Sequence, residues 1–563
     1  MQTRVDRGAI ALVVILLLGY LLRSLWFDTD LYLDESDAMR VARAVSRGEG
    51  PIFETKALNW TRGYWPHPPL FIMLVTAVDL LSPGNPAAMR AMIRIFGVLA
   101  ILVASLASLE VYRGEAGIAI SILVALLLSA NYFHVVVSNI LADDMVLAFL
   151  LGLSLWLFCS YLKSGKERLL TMAGVAAGLA MFSKIGPSLL HAGILSLALS
   201  GRGEALARVR RLIMMDVPIL AGGFLGLVVS WWAWGEEQMI AILYSFVVAG
   251  TRSGAGGLQS YLGRVMATGT WTAWYTTFPF VLAAVLGVVH VFRNRKDDRG
   301  LILLSFYTLI FSGFFLLVVP FAGVFRYLAP MIGPSAIIVG TLLLDSWRKV
   351  VSGSGGLGRM LLAAALVAFG TASFLLALSP SIEVTPLLTA DLVRRHNLLR
   401  VTTAAVPLGV FATIVAARWA FRGPRTRSGR PAVPLLDKLS LLAMVGLLAA
   451  YAAFGLIQGA GYLEYPYARG IAEAGDYLRS HTDPDDVLLT SKDIAFYADR
   501  SYHNLKGDLP RSEIQHLLAE GNASYLAYYP PIPTWLGPTL AELGEPIRFG
   551  STYVFNLTAR PVD

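Results

Sequence analysis

The chain has 563 residues, of which 56% are apolar and only 15% charged, against about 25% charged in an ordinary soluble domain. Its mean hydropathy is +0.62, and the apolar residues come in repeated runs long enough to cross the ~30 Å hydrocarbon layer. These figures exclude a soluble multidomain enzyme, a disordered chain and a disulfide scaffold, and describe a polytopic helical membrane protein. The 46 basic and 38 acidic residues leave a net charge of +8. The basic residues gather between apolar runs, which reads as loops held on the cytoplasmic side and not as a nucleic-acid surface. The one cysteine, Cys159, lies inside an apolar run, so no intrachain disulfide forms.

In chain order, spans are predicted near 8–26, 88–109, 115–133, 144–162, 169–182, 185–200, 212–234, 272–292, 301–321, 327–345, 358–378, 401–420 and 439–459. The first has no small-residue cleavage site and reads as a retained anchor. The amino-terminal Arg4 and Arg7 and the segments KSGKER, RGEALARVRR, RNRKDDR, SWRK and RGPRTRSGR all fall on one side and are basic, which makes that side cytoplasmic. Thirteen crossings then place residues 461–563 outside. The expected organisation is a membrane domain over 1–460 and a small extracytoplasmic α/β domain over 461–563. In that tail, the stretch ARGIAEAGDYLRSH reads as a helix and DVLLTS, SYLAYY and STYVFNL as strands.

The first outer loop, 27–87, opens with LYLDESDAMRVARAV, where Ala38, Val41, Ala42 and Val45 follow a helical spacing. Asp34 reads either as the N-cap of that helix or as a partly desolvated carboxylate able to accept a proton. The loop continues as NWTRGYWPHPPLF. Its Pro68-Pro69 pair suits a rigid entry into an apolar helix over 70–81 that lies along the membrane surface. Trp60, Tyr64 and Trp65 suit the interfacial aromatic belt, while His67 and Lys56 are candidates to contact an anionic head group. Asp143 and Asp144 stand at the outer start of a span. They either cap the helix that follows or, as carboxylates at the edge of hydrocarbon, carry a function. Lys184, between two short apolar runs, either snorkels or neutralises a phosphate. Arg326 and Tyr327 open another span. Further outer loops are expected over about 235–271 and 379–400, and no internal repeat of the kind many transporters carry is visible.

The Asp-Glu pair after the first span, the HPPL before a surface helix, the DDM opening a later span, GLAMFSK and RYLAP form a series. It resembles the polyprenyl-phosphate-sugar-dependent glycosyltransferases of the GT-C fold, and is most similar to the lipid A aminoarabinose transferases and the protein O-mannosyltransferases. The resemblance runs over roughly the first 345 residues. It implies a multi-pass enzyme of the cytoplasmic membrane that moves a sugar from a polyprenyl-phosphate donor to a glycan, lipid or protein acceptor on the outer face. It makes Asp34 the catalytic base, with Glu35 and Asp144 in the catalytic set. His67, Lys56, Lys184, Asp143, Arg326 and Tyr327 would then bind the donor phosphate and sugar. Two positions depart from the lipid A relatives. Pro66 replaces a Glu that takes part in metal binding there, so no metal is carried over, and Asp37 replaces an Arg. A lipid-phosphate donor lacks the double negative charge of a sugar nucleotide, so no cofactor is required and a divalent metal has no assignable ligands. The competing class is a transporter, which calls for charged residues at mid-span. The outer tail is expected to tune acceptor choice without joining the catalytic centre.

Overall fold

The computed structural model describes residues 2–24, 35–53, 63–112, 114–200, 204–252, 265, 278–318, 325–351, 470–505, 511–520, 523–529 and 536–557. The predicted spans at 358–378, 401–420 and 439–459 and the loop at 379–400 lie outside the described residues, as do Asp34 and Lys56. Helix α1 (Gln2–Ser24) is followed by the amphipathic α2 (Glu35–Ser46), whose Ala38, Met39, Val41 and Ala42 are buried. A short antiparallel pair, β1 (Ile52–Phe53) and β2 (Gly63–Tyr64), leads into α3 (Leu70–Leu81).

The main bundle comprises α4 (Pro86–Val111), α5 (Gly114–Ala130), the single-turn α6 (Tyr132–Val137), α7 (Asp144–Ser164), α8 (Glu167–Met181), α9 (Ile185–Ser200) and α10 (Ala205–Trp234). It continues with α11 (Glu236–Arg252), α12 (Phe278–Asn294), α13 (Arg299–Gly313) with a π turn over Phe314–Val318, and a 3-10 turn (Phe325–Leu328) that opens α14 (Ala329–Val351). Among the described residues, five helical stretches are long and apolar enough to cross a membrane by length and composition: Pro86–Val111, Asp144–Ser164, Ala205–Trp234, Arg299–Leu317 and Arg326–Asp345. Helix α7 is largely enclosed by its neighbours, whereas α10 turns Phe224, Leu225, Trp231 and Trp232 outward. An apolar exterior of this kind matches hydrocarbon as solvent and would be anomalous in water. One expectation changes here. The loop predicted from 235 begins instead with α11, because MIAILYSFVV is apolar enough to continue as helix after Gly235 breaks α10.

Small residues set how closely the helices approach. On α8, Gly174 faces the backbone of Met215 and Gly178 faces the carbonyl of Pro218, while Gly222 of α10 faces the backbone of Gly178. Where lipid replaces water there is no hydrophobic drive between helices, so close backbone approach supplies the packing energy.

In the tail, α15 (Ile471–His481), β3 (Val487–Thr490), α16 (Lys492–Ala498), β4 (Ser501–Asn504), α17 (Arg511–Glu520), β5 (Tyr525–Tyr528), α18 (Leu536–Glu542), β6 (Ile547–Phe549) and β7 (Thr552–Asn556) build one five-stranded sheet. Its order is β4-β3-β5-β7-β6. The β4-β3-β5 side is parallel, with α16 and α17 as crossovers, and β5-β7 and β7-β6 are antiparallel. Side chains alternate across a strand. Leu488, Ala527 and Val554 therefore pack with Ile471, Leu478 and Ile494 on one face, and Leu489, Leu526 and Phe555 pack with Ile514, Leu536 and Leu540 on the other.

A β-branched side chain at the α8–α10 crossing should be costly. Gly178→Val is expected to destabilise the protein by about 1–3 kcal/mol through overpacking, read as earlier thermal unfolding in detergent. Gly186→Ala, where an added Cβ meets nothing within 4 Å, should unfold like the wild type. Equal unfolding temperatures for the two variants would contradict the packing described.

Candidate active site

The α7 amino terminus carries two adjacent carboxylates in an apolar bundle. Asp143 occupies the N-cap position, yet its side chain makes no capping hydrogen bond. Its carboxylate turns instead to Lys184, whose Nζ donates to Asp143 Oδ1 at 2.7 Å and to Asp144 Oδ1 at 3.1 Å. The guanidinium of Arg326 stands 3.1 Å from the other oxygen, Asp144 Oδ2. The Lys184 ammonium lies 4.0 Å from the centre of the Tyr327 ring, a cation–π contact. Asp143, Asp144 and Lys184 are all buried. Burial by itself would raise the Asp143 carboxyl, but Lys184 and then His67 outweigh it and hold the group below the usual carboxylate range.

Each member is delivered by a different piece of chain. Asp143 and Asp144 come from the start of α7, Lys184 from the turn between α8 and α9, and Arg326 and Tyr327 from the 3-10 turn before α14. The turn bearing Lys184 is fixed at both sides: the Lys184 amide donates to Ala180 O at 2.8 Å, and Ser188 Oγ donates to Lys184 O at 2.7 Å. His67 joins through the Trp65–Leu70 segment. The Leu70 amide donates to Phe182 O at 3.2 Å, Gln238 Nε2 of α11 donates to Trp65 O at 2.7 Å, and the His67 ring meets the Trp65 ring edge-on. Buried polar atoms at this junction, among them Asp143 Oδ2, Trp65 Nε1 and Gln238 Oε1, have no hydrogen-bond partner among the described residues.

A second buried polar layer sets the position of the segment before α7. Glu35, 1% exposed, takes a two-point ion pair from Arg90 of α4, with Nε–Oε1 2.9 Å and Nη2–Oε2 2.6 Å. The same Oε1 accepts the Leu141 amide at 2.9 Å. Arg94 Nε donates to Asn139 Oδ1 at 2.8 Å. Arg23, fully buried at the end of α1, reaches Ser138 Oγ at 3.2 Å, His134 Nδ1 at 2.8 Å and the Gly19 carbonyl at 2.6 Å. None of Arg23, Arg90 and Arg94 is singled out in the sequence analysis. The available signal was the presence of arginines within apolar helices at all, where ionisable groups face the protein interior.

The structure thus brings together six of the predicted site residues, Asp143, Asp144, Lys184, Arg326, Tyr327 and His67. It sets Glu35 one layer away, engaged with Arg90 and Leu141. Among the described residues no group of three His, Cys, Asp or Glu side chains is arranged to hold a metal ion.

Residues 66–234 match the family model described as dolichyl-phosphate-mannose-protein mannosyltransferase, a stretch that includes His67, Asp143, Asp144 and Lys184. No curated protein matches the chain by sequence. Among solved structures, the chain is similar to ArnT of Cupriavidus metallidurans bound to undecaprenyl phosphate, with a TM-score of 0.63, 16% identity and 98% of each chain covered. It is also similar to the archaeal oligosaccharyltransferase AglB of Archaeoglobus fulgidus, solved with an inhibitory peptide and a dolichol-phosphate. There the TM-score is 0.53 and the identity 13%, over 100% of this chain and 76% of that one.

Removing one partner of a buried ion pair leaves the other charge uncompensated, which costs about 3–5 kcal/mol. Arg90→Met is therefore expected to unfold at markedly lower temperature, and Glu35→Met/Arg90→Met to recover most of the loss. An Arg90→Met protein as stable as the wild type would show that this pair does not hold the segment in place.

Proposed function

We propose, from the GT-C fold that this chain shares with those structures, that it is a membrane glycosyltransferase moving a sugar from a polyprenyl-phosphate donor to an acceptor hydroxyl or phosphate, with inversion. The observation that carries this reading is the buried Lys184–Asp143–Asp144–Arg326 cluster at one end of an apolar helix bundle. Charged groups are expensive there and are retained where chemistry needs them. The family match supports the same donor class.

The donor is activated already, because its phosphate leaves as a stable anion. What remains is to take a proton from the acceptor hydroxyl and to stabilise the charge left on the phosphate. Asp34, the chain neighbour of Glu35, takes that proton. The acceptor oxygen then attacks the anomeric carbon from the face opposite the phosphate, a carbon–oxygen bond forms, and the bond to the phosphate oxygen breaks. Lys184, Arg326 and His67 supply the positive and hydrogen-bonding partners of the departing phosphate, with Lys56 as a further cation. Such preorganised partners act strongly where water is excluded. Asp143 and Asp144 hold Lys184 and Arg326 in place before the donor arrives, and Tyr327 lines the sugar pocket. Glu35 orients the segment that carries Asp34. The cations meet the single phosphate, so the step does not demand a metal. The site faces the extracytoplasmic side of the cytoplasmic membrane, the side opposite the basic loops. The acceptor is a glycan, lipid or protein component reached from that side.

The test is transfer of radiolabelled sugar from a polyprenyl-phosphate donor by the purified protein in lipid. Asp34→Asn keeps the shape of the side chain and loses the base, so turnover should fall by about 10²–10⁴-fold while donor binding stays. An Asp34→Asn protein that transfers at the wild-type rate would remove Asp34 from the mechanism. A wild-type protein that transfers no sugar from any polyprenyl-phosphate donor would overturn the reading itself.

A further inference from the structure

The helix that follows Asp34 is held from two sides, and one of them is the tail. From the bundle, Glu35 binds Arg90 and the Leu141 amide. From the tail, Asp493 at the start of α16 accepts Ser36 Oγ through Oδ1 at 2.7 Å, and its other oxygen accepts the Tyr529 hydroxyl at 2.6 Å. Asp493 is buried and so ties the first turn of α2 to the tail sheet. The next residue of α2, Asp37, forms an ion pair with Lys492. One turn further on, Arg40 donates to Tyr502 Oη at 2.8 Å and to the Lys492 carbonyl. Arg43 then lies 4.7 Å from the Phe496 ring centre. Ser36, Asp37, Arg40 and Arg43 of α2 are therefore met by one short helix and by Tyr502 of β4, in a segment some 450 positions later in the chain (|i−j| = 457 for Ser36–Asp493).

This is more than a covering domain needs. An accessory module that only selects an acceptor has no reason to fix the two residues that follow Glu35, whereas a module that fixes them also fixes the Glu35–Leu141 bond and the approach to Asp143. We propose that the tail is a positioning element of the transfer site, with Lys492 and Asp493 acting as positioning residues that hold the first turn of α2, and with it the bonds of Glu35 to Arg90 and the Leu141 amide. The inference rests on the transferase reading for its catalytic readout. It replaces the expectation that the tail works apart from the catalytic centre.

The Asp37–Lys492 pair provides the experiment, because it is only partly buried (side chains 13% and 25% exposed) and its charges are exchangeable. In the full chain, Lys492→Asp places two carboxylates face to face and should lower kcat by about 10-fold or more, since small misplacements of reacting groups carry large rate costs, with the donor KM changed less than twofold. The exchanged pair Asp37→Lys/Lys492→Asp should regain most of the rate. Hydrogen exchange gives a readout that needs no turnover: the α2 amides and the Leu141 amide should exchange faster in Lys492→Asp and return towards wild type in the exchanged pair. A Lys492→Asp protein with wild-type kcat and wild-type exchange at α2 and Leu141 overturns the inference and leaves the transferase reading standing. An exchanged pair that folds but stays as slow as the single variant also overturns it. If the wild type transfers no sugar, the transferase reading falls by itself, and the exchange measurement still decides whether the tail governs α2.

Discussion

Two carboxylates set side by side at the start of a buried helix demand compensation, and the bundle is arranged around providing it. The penalty for each uncompensated ion in a protein interior is several kcal/mol even after relaxation. Asp143 and Asp144 therefore require Lys184 within hydrogen-bond reach and Arg326 beside it. That requirement brings the start of α7, the α8–α9 turn and the 3-10 turn before α14 to a single point. Two cations against two carboxylates leave the cluster formally neutral, so it is stable at rest. In the proposed function, an arriving phosphate would draw on the cations while the carboxylates retain their geometry.

Around this centre the polar groups are layered. Arg23, Arg90 and Arg94 sit at the ends of α1 and α4 and reach the segment from His134 to Leu141 directly or through Glu35. Rigid support of this kind is what a reaction needs when its barrier is lowered by placement and charge and not by a bond to the protein. The close α8–α10 crossing through Gly174, Gly178 and Gly222 serves the same end, since α8 ends at the turn that bears Lys184.

Much of the helical framework was legible because apolar runs and their breaks are local properties. The spans expected at 144–162, 169–182 and 185–200 became Asp144–Ser164, Glu167–Met181 and Ile185–Ser200, and the surface helix at 70–81 matches α3. The candidate site was legible as a set of residue types at one end of the bundle. Its pairings were not: Lys184 meets Asp143 across 41 positions, and no periodicity encodes which of two adjacent carboxylates a distant lysine reaches. The capping alternative for Asp143 was a fair reading of an Asp before an apolar helix, and the geometry sets it aside, because the carboxylate binds Lys184 and makes no cap bond. The contacts of α16 with α2 were the least legible of all, since polar residues on an amphipathic helix read as solvent-facing until their partners are seen.

The central claim is that the Lys184–Asp143–Asp144–Arg326 cluster is where a lipid phosphate is handled. A structure of the protein with a polyprenyl phosphate bound tests it most directly. The account predicts the phosphate within hydrogen-bond reach of Lys184 and Arg326, with the isoprenoid chain running along the apolar surface of the bundle. A phosphate seated instead at a different charged cluster, such as the one where Arg295 and His290 bind Asp345, would contradict it.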